Sequence, residues 1–229
     1  MKDKNHPEPV PSASQVVVLP FLAALEGLIK DQTTSTFRLT MHRVATWESQ
    51  GHFQQLCTYL GSGPKDQGTV GRMLPVTTGI IGYAFEHKKI ARTKRYASNE
   101  LLLADLAEDM KANRETGQPE QTPPSYLAIP FVGSENEVIL VLYADCREFN
   151  FFANNQLVNK LAAMCRSLAS LFDWLQESEA LPTIQNFPLE KGTPIKSAPT
   201  VYRRLQELVE IPVPRFKAVT SFNYEIAIP

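Results

Sequence analysis

The sequence has no long hydrophobic run and almost no excess of charge of either sign. Its longest uncharged stretch, residues 9–25, contains Ser12, Ser14, Gln15 and Pro20 and is too polar to cross a lipid bilayer. The 23 Lys and Arg residues nearly balance the 24 Asp and Glu residues, which leaves a formal net charge of -1. Such a balance provides no general attraction to nucleic acids or anionic membranes. We therefore expect neither among its partners.

Cysteine and histidine are also scarce. The three cysteines, at positions 57, 146 and 165, are an odd number and have neither a disulfide framework nor a metal-binding spacing. A reducing, cytoplasmic location is the simplest explanation. The four histidines, at positions 6, 42, 52 and 87, lack paired-ligand spacing, so we expect no bound metal. No nucleophile motif of the Gly-x-Ser-x-Gly type occurs, which favours a protein that is not an enzyme.

Composition divides the chain into three parts. Residues 1–14 hold three prolines among charged and small residues and predict a flexible leader. Residues 15–180 carry regular apolar periodicity and predict one domain. Residues 181–229 contain seven prolines and form a C-terminal extension, in which spacing predicts a short helix over 199–210 and a strand over 216–228. The pair Arg203-Arg204 is expected on the solvent face of that helix.

Within the domain, the pattern alternates between helical and extended periodicity. Apolar residues recur at helical spacing over 20–32, and from Phe37 large apolar side chains alternate with Arg38, Thr40 and His42, as in a half-buried strand. A second strand, a helix near residue 80, a short strand, a helical insert, a strand hairpin and a long helix follow. The class is therefore α+β.

The long helix, which begins near residue 155, has a heptad-spaced stripe and a second apolar stripe beside it. The heptad stripe consists of Leu157, Leu161, Met164, Leu168, Leu171 and Leu175. One interpretation is that one stripe packs on the sheet while the heptad stripe forms a dimer interface. The other is that both stripes make a single broad core face, and the sequence leaves the two open.

Residues 20–178 resemble the GAF domain family. The matching stretches are residues 71–75 (GRMLP) followed by 78–84 (TGIIGYA), the strands over 126–131 and 138–143, and the helix introduced by Phe152. The resemblance implies a central antiparallel sheet flanked by the N- and C-terminal helices, with a ligand site on the opposite face. It also implies a homodimer joined through the first and last helices, which reports to an output domain or to a separate output protein.

The resemblance implies a small-molecule ligand, although the family's cyclic-nucleotide motif and its bilin-attaching Cys-His pair are both missing. A basic cluster over 92–96 suits a small anionic or aromatic metabolite at the rim of the site; a solvated surface run is the alternative. The candidate ligand-binding residues are Tyr59, Tyr83, Arg92, Arg95, Tyr96 and Tyr126. No particular cofactor is indicated.

Three functions remain open at this stage. The first is a non-enzymatic sensing or adaptor protein that dimerises and acts through a partner. The second is a thiol-based redox protein, either a sensor or a methionine sulfoxide reductase-like enzyme, which uses Cys57 or Cys146; Cys146 is expected to be the more exposed thiol. The third is a scaffold that binds no ligand.

The end of the extension alternates large apolar residues, as a strand does. Phe222, Tyr224 and Ile226 could add to the sheet edge of a partner protein. Alternatively, the extension packs on this chain and covers an edge of its own sheet.

Overall fold

The computed structural model describes residue 10 and residues 12–47, 50–61, 68–112, 122–178 and 202–219. The helices are α1 (Ser12–Lys30), α2 (Gly79–His87), α3 (Asn99–Ala112) and α4 (Asn155–Glu177), with a 3-10 turn over Phe151–Ala153. The strands are β1 (Phe37–Trp47), β2 (Gln50–Gln55), β3 (Leu60–Gly61), β4 (Met73–Pro75), β5 (Ala91–Thr93), β6 (Ser125–Val132), β7 (Val138–Cys146) and β8 (Leu205–Glu207). None of the described helices is both long and apolar enough to cross a membrane.

The strands form one antiparallel sheet in the order β4-β2-β1-β7-β6-β5-β8, and β3 also pairs with β1. The sheet, with the N-terminal and C-terminal helices packed against it, confirms the predicted α+β class and is compatible with a GAF-like fold. A tight turn joins β6 to β7: Gly133 donates its N–H to the Glu137 carbonyl over 2.7 Å, and Asn136 takes a left-handed conformation with φ of 63°. Asparagine tolerates that conformation well, which suits it to this turn.

The alternation of side chains divides the sheet into two faces with different partners. On the helix face, Phe37, Leu39 and Met41 of β1 join the core that α1 and α4 cover. On the opposite face, Ala128 of β6 and Val141 of β7 pack with residues of α2. This second face, called the site face below, also receives the polar residues that alternate with the core residues of β1.

Helix α1 begins at Ser12, earlier than expected for a leader over 1–14 and a helix that starts at residue 20. Pro20 lies inside it. Proline removes a hydrogen bond to the carbonyl four residues before it, which belongs here to Val16. Both residues are exposed, so water can satisfy that carbonyl and the helix tolerates the proline. The sequence pattern missed this because proline is more common in the first turn of a helix.

The heptad stripe of α4 lies mainly in the core of this chain, which corrects the predicted dimer interface. Leu157, Leu161 and Leu168 are buried, with at most 4% of their surface exposed, and Met164 packs against the same core. Leu175 is half-buried, and Leu171 is 46% exposed. The broad apolar face is used within the fold, because one flank of α4 meets α1 and the other meets the C-terminal extension.

The extension contains a strand, β8, where a helix was predicted over 199–210. Two features favour the extended chain: β8 pairs with the edge strand β5, and the carboxylate of Asp109 accepts hydrogen bonds from the N–H groups of Arg203 and Arg204. These tertiary hydrogen bonds stabilise the extended chain more than the local helical preference of the segment stabilises a helix. Residues 216–219 are not in a strand, and residues 220–228 of the predicted strand lie outside the described residues.

A matched pair of truncations on α4 tests the burial of its heptad stripe. We expect Leu168→Ala to lower the free energy of unfolding by about 2–5 kcal/mol, since it leaves a cavity in the core. Leu171→Ala should lower it clearly less, because 46% of that side chain is exposed in the single chain. Urea unfolding followed by circular dichroism measures both. Equal losses in the two variants would contradict the assigned faces.

Candidate functional site

Aromatic rings cover much of the site face. Tyr143 of β7 is the central ring: its centroid lies 6.4 Å from that of Tyr126 and 6.1 Å from that of Tyr59. The imidazole of His42 lies 6.4 Å from Tyr143 and 6.3 Å from Phe53. These four aromatic residues and His42 are called the aromatic floor below. The successive neighbours β2, β1, β7 and β6 each send alternate residues to this face, and Tyr59 reaches it from the chain between β2 and β3.

A partly buried ion pair lies at one edge of the aromatic floor. The guanidinium of Arg38 donates to Asp145 through Nη2 over 2.8 Å and through Nε over 3.2 Å, and it stacks on the ring of Tyr59. The hydroxyl of Tyr143 donates to the same carboxylate over 2.7 Å. Burial, together with the charge of Asp145, raises the pKa of Tyr143 well above its ordinary value, so the phenol stays protonated and remains a donor.

His42 is a buried polar group without a hydrogen bond. Only 1% of its surface is exposed, and neither ring nitrogen has a hydrogen-bond partner. Burial lowers its pKa from 6.5 to about 3, and the charge of Arg72 adds to this effect. The imidazole is therefore neutral near pH 7, with one donor nitrogen and one acceptor nitrogen. Buried polar groups are almost always paired in proteins, so this one calls for an explanation.

Arg204, in the C-terminal extension, is the second such group. Its guanidinium lies over the rings of Tyr126 and Tyr202, at 5.6 and 5.1 Å from their centroids, and the residue is 5% exposed. Nη1 is 3.7 Å from Oδ2 of Asp109, close enough for charge attraction but too far for a hydrogen bond. Nε and Nη1 have no hydrogen-bond partner. The charge is thus balanced while two donors remain unsatisfied.

Only part of the predicted ligand set lies on the site face. Tyr59 and Tyr126 belong to the aromatic floor. Tyr83 lies beside it, where its hydroxyl donates to Glu207 over 3.1 Å and its ring stacks on His87 and contacts Tyr202.

The other predicted ligand residues point elsewhere, which corrects the expected role of the basic cluster. Arg92 donates to the Phe152 carbonyl over 3.0 Å and to Asn155 over 2.7 Å, beside the start of α4. Arg95 reaches the Ala153 carbonyl, and the Tyr96 hydroxyl donates to Asp105 over 2.6 Å. The alternation along β5 explains this, because Ala91 joins the apolar cluster on the site face and its neighbour Arg92 must face the opposite side.

Three residues of the site were missed at the sequence level. Strand alternation does predict the face of His42, but nothing in the sequence marks it as buried without a partner. Tyr143 lies in a strand whose other residues are almost all apolar, so the pattern predicts only core. Arg204 was expected at a solvent face, because its true position depends on the pairing of β8 with β5.

The candidate redox thiols are all buried. Cys57 and Cys146 are at most 2% exposed, so the expectation that Cys146 is an exposed thiol is wrong. Burial raises the pKa of Cys57 to about 12 and that of Cys146 to about 11, and it also raises the pKa of Cys165. Because the thiolate is the reactive form, these environments oppose thiol chemistry near neutral pH.

The sequence matches no protein-family profile and no curated protein. Among solved structures, the chain is similar to one described as an IcIR transcriptional regulator from Alicyclobacillus acidocaldarius, with 18% sequence identity and a TM-score of 0.32. The similarity covers 66% of this chain and 64% of that one, so the chain spans less than two thirds of that protein's length. A likeness at this level says nothing about what this chain does.

The buried, neutral His42 predicts a pH dependence of stability. Its pKa is lower in the folded state than in the unfolded state, so the unfolded state binds more protons below pH 6.5 and stability falls as the pH drops from 6.5 towards 3. Between pH 7.5 and 5.5, wild type should lose about 1.4 kcal/mol more than His42→Phe, a figure set by the ordinary histidine pKa. Urea unfolding at the two pH values measures this. Identical losses in both proteins would show that His42 titrates normally in the fold.

Proposed function

We propose that this chain is a non-enzymatic sensing domain that binds a small aromatic carboxylate on its site face. The observation that carries the proposal is Arg204: a buried guanidinium between two tyrosine rings, with two N–H donors that have no acceptor. Leaving a buried donor unpaired costs about 1–3 kcal/mol, and more when the donor is charged. A carboxylate ligand offers the missing acceptors.

The surroundings of Arg204 favour an anion that carries a ring. Asp109 already accepts two backbone N–H groups, from Arg203 over 2.6 Å and from Arg204 over 3.1 Å, which leaves the side-chain donors of Arg204 for a ligand. The neighbouring rings of Tyr126 and Tyr143 offer stacking and edge contacts to a flat apolar group. Neutral His42, further along the floor, can donate to or accept from a polar substituent.

The histidine and the cysteines near the site favour ligand binding over catalysis. The imidazole of His42 has no hydrogen bond to a hydroxyl or thiol that it could activate. The thiols of Cys57 and Cys146 are kept protonated by burial. Covalent catalysis usually requires a nucleophile paired with a base. Within the described part of the site face, His42, Cys57 and Cys146 do not form such a pair.

Benzoate is the simplest probe of the proposed ligand class. At one hundred times its Kd, benzoate should stabilise the wild-type protein by about 2.7 kcal/mol in thermal unfolding. Arg204→Met should weaken binding about tenfold or more, since it removes a charged hydrogen-bond donor. Arg203→Met is the matched control, because the neighbouring side chain is exposed. Isothermal titration calorimetry gives the affinities.

Further variants and compounds test which groups of the protein and of the ligand are needed for binding. Arg204→Lys keeps a charge beside Asp109 and replaces Arg204→Met if that variant does not fold. Benzamide, which lacks the charge, and cyclohexanecarboxylate, which lacks the flat ring, should both bind more weakly than benzoate. Equal benzoate affinity in the Arg203 and Arg204 variants would reject Arg204 as the carboxylate receptor.

Self-association is the second part of the proposal, and it uses a different surface from the predicted stripe. On the outer side of α1, Val16 and Leu19 are 62% and 40% exposed, and no charged residue occurs from Val16 to Leu25. The adjacent helix α4 exposes Leu171 and, at 59%, Trp174. The α1 part of this face is uncharged and can pair with its own copy without like-charge repulsion, so a second copy of this chain is the occupant we propose.

Charge substitutions on this face test the homodimer. Leu19→Glu and Trp174→Glu should each shift the protein to monomer in sedimentation velocity, because each places a charge in an apolar contact. Leu101→Glu is the control: Leu101 is 55% exposed and lies on α3, away from this face. A monomeric wild type, or a dimer that survives both changes, would contradict the proposed interface.

Signalling through a separate output protein stays a proposal. Phe222, Tyr224 and Ile226, the predicted docking residues, lie outside the described residues. Residues 202–219 immediately before them pack on this chain and cover its sheet edge, in line with the intramolecular alternative.

A further inference from the structure

The C-terminal segment over residues 202–219, called the tail clamp below, connects the two faces of the sheet. Its first part belongs to the site face, where Tyr202 and Leu205 join the apolar cluster under α2. Its last part belongs to the helix face, where Phe216 and Val219 join the core under α4. The tail clamp therefore passes around the β5 edge of the sheet.

The near end of the tail clamp is held by backbone hydrogen bonds. β8 pairs with β5, the N–H of Lys94 donates to the Arg204 carbonyl over 2.9 Å, and the N–H of Leu208 donates to the Ile90 carbonyl over 2.9 Å. Asp109 of α3 adds its two bonds to the N–H groups of Arg203 and Arg204. This end presents the Arg204 side chain to the aromatic floor.

The far end is held against β6 and α4. The N–H of Phe216 donates to the Val132 carbonyl over 2.9 Å, and the Phe216 ring lies 5.9 Å from that of Phe131 and 6.2 Å from that of Phe172. Asp173, a buried carboxylate on α4, accepts hydrogen bonds from the N–H groups of Lys217 and Ala218 over 2.9 Å, and a longer one from Val219. Asp173 thus anchors the far end by contacts to backbone groups.

Only a short stretch of chain separates the two anchors. Between them, Leu208 and Ile211 are buried in the helix-face core, and Arg166 of α4 donates to the Pro212 carbonyl over 3.1 Å. Contacts therefore continue along the tail clamp from Arg203 to Val219. Segments with continuous packing of this kind tend to open and close as cooperative units.

From these contacts we infer that the tail clamp docks as one unit and that its docking and ligand binding stabilise each other. This inference rests on the proposed function, because Arg204 is presented to an aromatic carboxylate only when the tail clamp is docked. A ligand that binds only the docked state shifts the protein towards that state. Loosening the far end then weakens binding at the near end as far as it lowers the docked fraction, because the apparent Kd is the intrinsic Kd divided by that fraction. Asp173 is then a positioning residue for a ligand that it does not touch.

Hydrogen exchange with Asp173→Ala tests the coupling. Without ligand, the variant should exchange faster both at residues 214–219, where the anchor is lost, and at residues 203–208, at the other end of the tail clamp. In the wild type, benzoate should slow exchange at both ends. Where the variant is docked for about a fifth of the time or less, calorimetry should show benzoate binding at least fivefold weaker, with Asp173→Asn between the variant and the wild type.

Asn154→Ala is the matched control. The Asn154 side chain caps the start of α4 by accepting hydrogen bonds from the N–H groups of Gln156 and Leu157, so its loss destabilises the helix. That change weakens α4 at its other end, so neither the exchange of the tail clamp nor the benzoate affinity should change in the way it does for the Asp173 variants.

The outcomes separate the inference from the proposed function. If Asp173→Ala speeds exchange at 214–219 alone, the ends open independently and the inference is overturned, even if benzoate binds. If exchange at both ends shows that less than about a fifth of the variant is docked, yet benzoate binds wild type and variant equally, docking is cooperative but not linked to the site, which also overturns the inference. A wild type that does not respond to benzoate rejects the proposed ligand class and with it the linkage, while the exchange comparison without ligand still decides whether the tail clamp opens as one unit.

Discussion

The open edge of β5 is the constraint on which both the fold and the site depend. A three-residue strand at the edge of a sheet leaves backbone N–H and C=O groups unpaired, and such edges invite pairing with other chains. β8 covers this edge with antiparallel bonds. The same pairing brings Arg204 beside Tyr126, so a segment that closes the sheet also completes the site.

The two arginine–aspartate pairs of the site face, one partly buried and one buried, differ in their hydrogen bonding. Arg38 and Asp145 are joined by hydrogen bonds from both Nε and Nη2, and the pair rigidly supports the aromatic floor. The Arg204 side chain approaches Asp109 only to 3.7 Å, from Nη1 to Oδ2, and the Asp109 oxygens accept backbone N–H groups instead. A charge-balanced guanidinium whose Nε and Nη1 lack a hydrogen-bond partner retains capacity for an incoming anion, and for this reason our proposal uses the second pair and not the first.

The sequence pattern predicts the architecture well and the site poorly, and the reason is physical. Strand alternation correctly separates Leu39 from His42, and helical spacing locates α4, because both depend on local geometry. The site depends on which strands become neighbours. Tyr126 and Tyr143 come together through the β6–β7 pairing, whereas Arg204 arrives through contacts more than ninety residues apart, between Asp109 and the extension. The spacing of residues in the sequence does not predict contacts between segments so far apart.

The extension also explains why α4 needs two apolar stripes. In a helix that packs on a sheet alone, one stripe is sufficient, and a second suggests another helix or another chain. Here the extra surface meets the extension: Phe172 contacts Phe216, and Asp173 beside it holds the backbone that follows. A buried aspartate within an apolar stripe would be costly if its oxygens were unpaired, so its position is intelligible only with the tail clamp docked. α4 thus carries, in one turn, both the apolar and the polar anchor of the segment that reaches the site.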